Sequence, residues 1–356
     1  MPLSIAFISF AHGHVGVYAD VLKMMPEVRL AACWDEDSAR GKSMAERYGM
    51  RFVPVLDDML GDGTIDAVII GSPTGRHAEH AIAAARAGKH ILCQKPMALT
   101  LEDCDAMIAA VQANRVTFSI AYQMRHDPVN QFMRQAVHDG VLGKVGCVRR
   151  RHCIPVLFND DFINGGTHWH IDPVQNMGMF MDDATHAADW FYWTFGRPRS
   201  VMAEIDNVLT TVAPDDTGVA ILRFEGGGYV APGMMGILLN SSVTHVGINT
   251  TEMYGDKGVL IQNYGDAPSM SIARPADAKP VFLFRTDQKE RVWQTPDLPI
   301  PASHGDRIAA VPKPFVDCLL NGAPVPAPAE EGRVAIEMVL AAYKSAKTGQ
   351  RVTFPL

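Results

Sequence analysis

Short apolar runs alternate with amphipathic ones through the first third of the chain. Leu3 to Ser9 is apolar and ends on Ala11-His12-Gly13-His14, the pattern of a buried strand feeding a tight turn. Helical spacing over Tyr18 to Met25, stopped by Pro26, predicts a helix, and Val28 to Trp34 predicts a second buried strand closing on Asp35-Glu36-Asp37. The alternation continues with a helix near Ser38 to Tyr48, a short strand at Phe52-Val53, and the strand Ala67 to Ile70 running into Gly71-Ser72-Pro73. A helix over His77 to Ala87, a strand over His90 to Cys93, a helix over Leu101 to Ala113 and a strand over Thr117 to Ala121 complete the series. Strands alternating with helices at this spacing predict an α/β domain, a parallel doubly wound sheet that binds ligands outside the carboxyl ends of its strands.

The pattern changes at Tyr122-Gln123-Met124-Arg125-His126-Asp127-Pro128, which places a domain boundary between residues 123 and 124. From Val201 onward β-branched and aromatic runs dominate, at Gly218 to Phe224, Gly228 to Pro232, Val246 to Tyr254 and Gly258 to Gln262, with Gly-rich turns between them. Residues 124–356 are therefore expected to form an α+β domain with a large, predominantly antiparallel open sheet. Its exposed face suits a homo-oligomer, a dimer or tetramer. A last amphipathic helix, Glu331 to Lys347, ends at Gly349.

At 356 residues the chain exceeds what one hydrophobic core usually supports, which agrees with two domains. A formal charge of -7 argues against nucleic-acid and acidic-membrane partners and leaves a small molecule as the expected one. The six cysteines have no metal-like or C-x-x-C spacing, so they read as reduced thiols. With no leader-like start and no apolar run of spanning length, the expected location is the cytoplasm.

The turn after the first strand is where a dinucleotide pyrophosphate would lie. The three glycine places of G-x-G-x-x-G fall on Ser9, Ala11 and His14 in one register and on Ala11, Gly13 and Gly16 in another that needs a longer strand. Asp35, at the end of the second strand, has the position of an acid that binds both hydroxyls of the adenosine ribose. Glu36 and Asp37 repel an added 2′-phosphate, an effect Arg40 moderates, so NAD is expected rather than NADP.

In the second half, Asp182, His186 and Asp189 share one face of a segment with helical spacing, and Met179, Phe180, Ala184, Ala187, Trp190 and Phe191 cover much of the rest. A polar stripe on an otherwise buried helix needs a reason. The segment Gly165 to Pro173 is rich in histidine; if extended, it puts His168, His170 and Asp172 on one face, a spacing that a metal site also uses. A sugar-lining role, with Trp169 as a stacking platform, is preferred, and no metal is expected.

The runs Asp66 to His77 and Ala87-Gly88-Lys89-His90 to Gln94-Lys95-Pro96 resemble the glucose-fructose oxidoreductase, inositol dehydrogenase and rhizopine-catabolism (Gfo/Idh/MocA) family. Tyr122 to Pro128, Met253 to Gly258 and Ala341 to Ala346 extend the resemblance over nearly the whole chain. It implies a Rossmann domain in which Ser9, Ala11, His12, Gly13, His14, Asp35, Ser72, Pro73, His77 and Gln94 face the dinucleotide. Lys95 matches the lysine of the family's Glu-Lys-Pro motif, with Gln94 in place of the glutamate. Asp182 and His186 match the Asp-x-Gly-x-His signature, with Ala184 in place of the glycine. The resemblance makes Lys95, Asp182 and His186 catalytic; Tyr122, Arg125 and His126 at the junction, with Trp169 and His170 of the histidine-rich segment, are the other expected substrate contacts. The implied activity is NAD-dependent oxidation of a secondary hydroxyl on a sugar, cyclitol or polyol, or the reverse reduction. A redox-neutral, glycosidase-like reaction on transiently used NAD, and a non-catalytic dinucleotide or sugar sensor, are the alternatives.

Overall fold

The computed structural model describes residues 2–246, 249–263 and 274–356. The chain divides into two compact units, one of Met1–Gln123, Val174–Asn176 and Gly305–Ile336, the other of Met124–Pro173, Met177–His304 and Glu337–Leu356.

The first unit is built on six strands, β1 (Leu3–Ile8), β2 (Val28–Trp34), β3 (Arg51–Phe52), β4 (Ala67–Ile70), β5 (His90–Cys93) and β6 (Phe118–Ile120). They lie in the order β3-β2-β1-β4-β5-β6, every pair parallel. The order reverses between β1 and β4, whose carboxyl ends Ile8 and Ile70 pair, so this is the place where such a sheet takes a ligand. Ile5, Phe7, Val15, Tyr18, Leu22, Ile69 and Phe315 form part of one core cluster. The helix Ser38–Tyr48 starts where expected because Asp37 caps it, its side chain accepting from the backbone N–H of Ala39 and Arg40. The first helix instead runs from His14 to Lys23, beginning before Tyr18 with no side-chain cap. A short helix at Leu56–Leu60 has no counterpart in the sequence reading, because five residues are too few to show a period.

In the second unit β7 (Val145–Cys153), β8 (Pro198–Asp206), β9 (Thr217–Phe224), β10 (Val230–Ser241), β11 (Thr250–Gly255), β12 (Gly258–Gln262), β13 (Phe282–Arg285) and β14 (Val352–Thr353) form one sheet. Its order is β13-β12-β11-β7-β10-β9-β8-β14, antiparallel except for the pair β7 and β10. Gly228 to Pro232 is the entry to β10, which continues to Ser241. The run Val246 to Tyr254 becomes a strand only from Thr250, and residues 247 and 248 within it lie outside the described residues. The helix Met179–Phe195 packs across β7, β8, β9 and β10, and of its residues only Tyr192 and Trp193 are not buried.

That helix is fixed at its start by groups remote in sequence. Asp215 Oδ1 accepts from the backbone N–H of Phe180 (2.6 Å), and Tyr343 donates its hydroxyl to Asp215 Oδ2 (2.7 Å) while accepting from Met181 N–H (3.1 Å). Burial raises the Asp215 pKa against the lowering effect of these bonds.

Candidate active site

In the first unit the turn after β1 fits a dinucleotide. Strand β1 ends at Ile8, and Ser9 takes φ 69°, the left-handed conformation for which the fingerprint's first glycine serves. A Cβ on Gly13 would meet nothing within 4 Å, so the backbone there is open to a ligand. At the start of the helix His14–Lys23 the His14 N–H donates to His12 Nδ1 (3.2 Å) and the Val15 N–H to His12 O (3.0 Å), which leaves the helix dipole as its attraction for an anion. Close packing beneath the turn is enforced at Gly71, where a Cβ would lie 2.3 Å from Val15 Cγ2 and 2.8 Å from Ser9 O. The backbone N–H of His12 donates to Gly71 O (2.8 Å), and the His12 and His14 rings meet edge to face at 4.4 Å. These residues would cradle the pyrophosphate; Asp35 lies just past the end of β2, buried, with Oδ2 accepting from the Phe10 N–H of the same turn (2.8 Å).

Behind the turn the polar side chains mostly hold one another. His77 is fully buried with one ring nitrogen 2.8 Å from Pro96 O and the other 2.9 Å from Ser72 O. It ties the Ser72-Pro73 turn to the Lys95-Pro96 segment; desolvation by burial lowers its pKa, with the two carbonyls opposing. Ser72 Oγ lies 2.8 Å from His80 Nδ1, and burial pushes the His80 pKa down to about 3. Gln94 is buried; its Nε2 donates to the Tyr18 hydroxyl (2.9 Å) and its Oε1 accepts from the Lys95 backbone N–H (3.2 Å). Both ends of the amide are therefore spent on placing Lys95. Lys95 and Tyr122 are buried at the ends of β5 and β6. His80, and Thr74, which donates to Asn176 Oδ1 at 2.7 Å, are polar anchors that sequence reasoning missed.

In the second unit the helix Met179–Phe195 carries Asp182, His186 and Asp189, all buried. Asp189 holds Arg125 through Nε (3.0 and 3.2 Å) and Nη2 (2.5 Å), an ion pair with 4% and 1% side-chain exposure. Asp183, beside Asp182, accepts from Ser242 Oγ at 2.8 Å. The His186 ring lies 5.5 Å from the ring of His152 on β7. His152 pairs in register with Asn240 of β10, and neighbouring Arg150 stacks 4.3 Å over Trp190 while donating to Thr251 Oγ1 (2.9 Å) and Asn130 Oδ1 (3.1 Å). His152, Arg150 and Asn240 extend the polar cluster beyond the residues named from sequence. Their signal was the alternation Val148, Arg150, His152 along one face of a strand.

His126 is half-buried, and burial, reinforced by the Arg125 charge, brings its pKa down to about 4, so it is neutral at pH 7. The segment His168–Ile171 is a 3-10 turn, closed by His170 N to Thr167 O at 3.0 Å. His168, His170 and Asp172 thus do not share the face that an extended chain would give them. His168 is exposed, whereas Trp169 and His170 are buried with rings stacked at 3.6 Å. Among the described residues no group of three metal-binding side chains occurs.

The chain thus joins an α/β unit whose β1 turn is open to an anion to a second unit with a buried stripe of Asp182, His186 and Asp189. The chain belongs to the Gfo/Idh/MocA family: the model for "Oxidoreductase family, NAD-binding Rossmann fold" matches residues 12–122 and that for "GFO/IDH/MocA C-terminal domain" matches residues 130–261. It is 26% identical over 342 residues to myo-inositol 2-dehydrogenase of Thermotoga maritima, covering 94% of this chain and 93% of the relative. It is 28% identical over 278 residues to inositol 2-dehydrogenase of Rhizobium meliloti, covering 76% and 79%. The solved structure of levoglucosan dehydrogenase in complex with NADH and levoglucosan shares the fold, with a TM-score of 0.83, 21% identity and 100% coverage of both chains. Among the described residues no helix is long and apolar enough to cross a membrane.

Proposed function

We propose that this protein oxidises a secondary hydroxyl of a sugar, cyclitol or related polyol with NAD, or catalyses the reverse reduction. The observation that carries this reading is the buried stripe of Asp182 and His186, with His152 beside it, in a chain whose other unit is an NAD-binding fold. The names of the relatives, inositol and levoglucosan dehydrogenases, support the substrate class. The first unit, residues 1–123 at its centre, holds the dinucleotide and the second holds the substrate. His186 accepts the hydroxyl proton, and Asp182 orients the imidazole or a neighbouring hydroxyl. The Lys95 ammonium stabilises the oxygen as it gains charge. The carbinol hydrogen leaves with its electron pair as the C–O bond becomes a carbonyl, and a bound nicotinamide supplies the acceptor. Arg125, held by Asp189, and neutral His126 bind other hydroxyls, with Tyr122 and the stacked pair Trp169 and His170 as walls.

Exposed Met202, Val219, Ile221 and Tyr254 on the strands of the large sheet support a homo-oligomer, and the six free cysteines support the cytoplasm as its location. The test is NADH formation from NAD over a panel of cyclitols, monosaccharides and anhydrosugars, with Lys95→Met and His186→Ala alongside the wild type. Each variant is expected to lose at least about a hundredfold in kcat, the scale of acid-base catalysis, while NADH affinity stays within about threefold. Turnover in either variant within about tenfold of wild type contradicts the assignment.

A further inference from the structure

Asp35, in the position assigned to the ribose, has no capacity left for one. Its side chain is fully buried, and its two oxygens accept from Phe10 N–H (2.8 Å), Asp37 N–H (2.9 Å), Arg40 Nε (3.0 Å) and Arg40 Nη2 (2.6 Å). Four donors exhaust what an ionised carboxylate accepts. The groups that reach solvent here are Arg40 and Glu36, with 23% and 24% side-chain exposure, and Asp37, whose carboxylate accepts from the Ala39 and Arg40 backbone N–H. Arg40 Nη2 also donates to Glu36 Oε1 (2.8 Å), and Ser9 Oγ, from the left-handed turn residue, donates to the same oxygen (2.9 Å). Glu36 Oε2 and Arg40 Nη1 have no hydrogen-bond partner among the described residues, which leaves one acceptor for a ribose hydroxyl and one donor for a phosphate.

We propose that Glu36, acting on Arg40, sets the cofactor preference of this chain, and that Asp35 is a positioning residue that fixes Arg40 and the Phe10 backbone. This rests on the nicotinamide-dependent reading above. Asp35, Glu36, Asp37 and Arg40 together carry a net charge of -2, three carboxylates against one guanidinium, so a phosphomonoester approaching Arg40 Nη1 meets net repulsion. A ribose hydroxyl meets a spare carboxylate oxygen instead. Without the Glu36 charge the net negative charge of the cluster is halved, and Arg40 keeps its bonds to Asp35 while turning Nη1 to the phosphate, as a guanidinium with a spare edge can.

The experiment measures dissociation constants of NADH and NADPH by nicotinamide fluorescence for the wild type, Glu36→Gln, Glu36→Gln/Arg40→Leu and Asp35→Asn. Glu36→Gln is expected to tighten NADPH about tenfold, the scale of one charge interaction near a protein surface, with NADH changed less than about threefold. The double variant should lose that gain, because Arg40 is the phosphate's partner. Asp35→Asn removes a charge too, but it also loosens Arg40 and the Phe10 backbone, so it should weaken NADH at least about fivefold, which Glu36→Gln does not. The proposal is overturned if Glu36→Gln leaves the ratio within about twofold of wild type, less than any charge effect of this kind. It is equally overturned if the double variant keeps the gain, or if Asp35→Asn leaves NADH binding within about twofold of wild type. A wild type that binds neither cofactor would overturn the underlying reading as well, a result distinct from an unchanged ratio.

Discussion

The helix Met179–Phe195 holds His186 in place only if its first turn is pinned, and Asp215 and Tyr343 are the pins. Asp215→Ala removes a cap worth roughly 0.5–2 kcal/mol. It also orphans a second buried donor, the Tyr343 hydroxyl, at about 1 kcal/mol. The expected loss is about 1.5–3 kcal/mol. Asp215→Asn keeps an oxygen for the Phe180 N–H and turns an amide toward a hydroxyl that can accept, so it should cost less than about 1 kcal/mol. Tyr343→Phe, which removes the donor to Asp215 and the acceptor of Met181 N–H, should cost about 1–2 kcal/mol. The two sites share a bond, so Asp215→Ala/Tyr343→Phe should fall short of additivity by about 0.5–1 kcal/mol. Urea unfolding followed by tryptophan fluorescence reads this directly, because Trp169, Trp190, Trp193 and Trp293 lie in the second unit and only Trp34 lies in the first. A stability for Asp215→Ala within about 0.5 kcal/mol of wild type, or strict additivity of the pair, refutes the capping argument.

Two further outcomes follow from the first unit. Gly71→Ala drives a methyl into Val15 and the Ser9 carbonyl, and should cost about 1–3 kcal/mol and weaken NADH binding at least tenfold, both measurable on the purified variant. Buried His80 has a folded pKa below its unfolded value. Its contribution is therefore complete above the unfolded value near pH 6.5 and is lost as pH falls toward the folded value of about 3. Stability should decline by about 1.4 kcal/mol per pH unit from this group through pH 5 and 4, and a His80→Gln variant should show a correspondingly shallower slope.

Much of the fold was legible in the sequence because the strands of a parallel sheet are buried on both faces and read as continuous apolar runs, as Ala67 to Ile70 does. Strand β7 was not, because Arg149-Arg150-Arg151-His152 reads as a polar segment. Its place between β11 and β10 makes it a strand, and burial of Arg150 and His152 against the helix Met179–Phe195 makes their polarity part of the site. The same blindness to tertiary partners explains Asp35 and Gln94. Residue type and position pointed at a ligand, but only coordinates show that Arg40 and Tyr18 already occupy their polar atoms. The stripe of Asp182, His186 and Asp189 was visible from helical spacing alone; that Asp189 serves Arg125 was not. The histidine-rich segment misled by its spacing, since a 3-10 turn rotates alternate residues apart.

Hydride transfer is the central claim, and an isotope label tests it most directly. The protein would be incubated with NAD and with cyclitols or anhydrosugars deuterated at their carbinol carbons, and the recovered nicotinamide examined by mass spectrometry. The account predicts deuterium on the nicotinamide ring together with net accumulation of reduced cofactor, both absent in His186→Ala. Label that enters the ring without net reduction would replace net oxidation by the redox-neutral reaction, and a nicotinamide that binds yet never acquires label would contradict the account and leave a sensor.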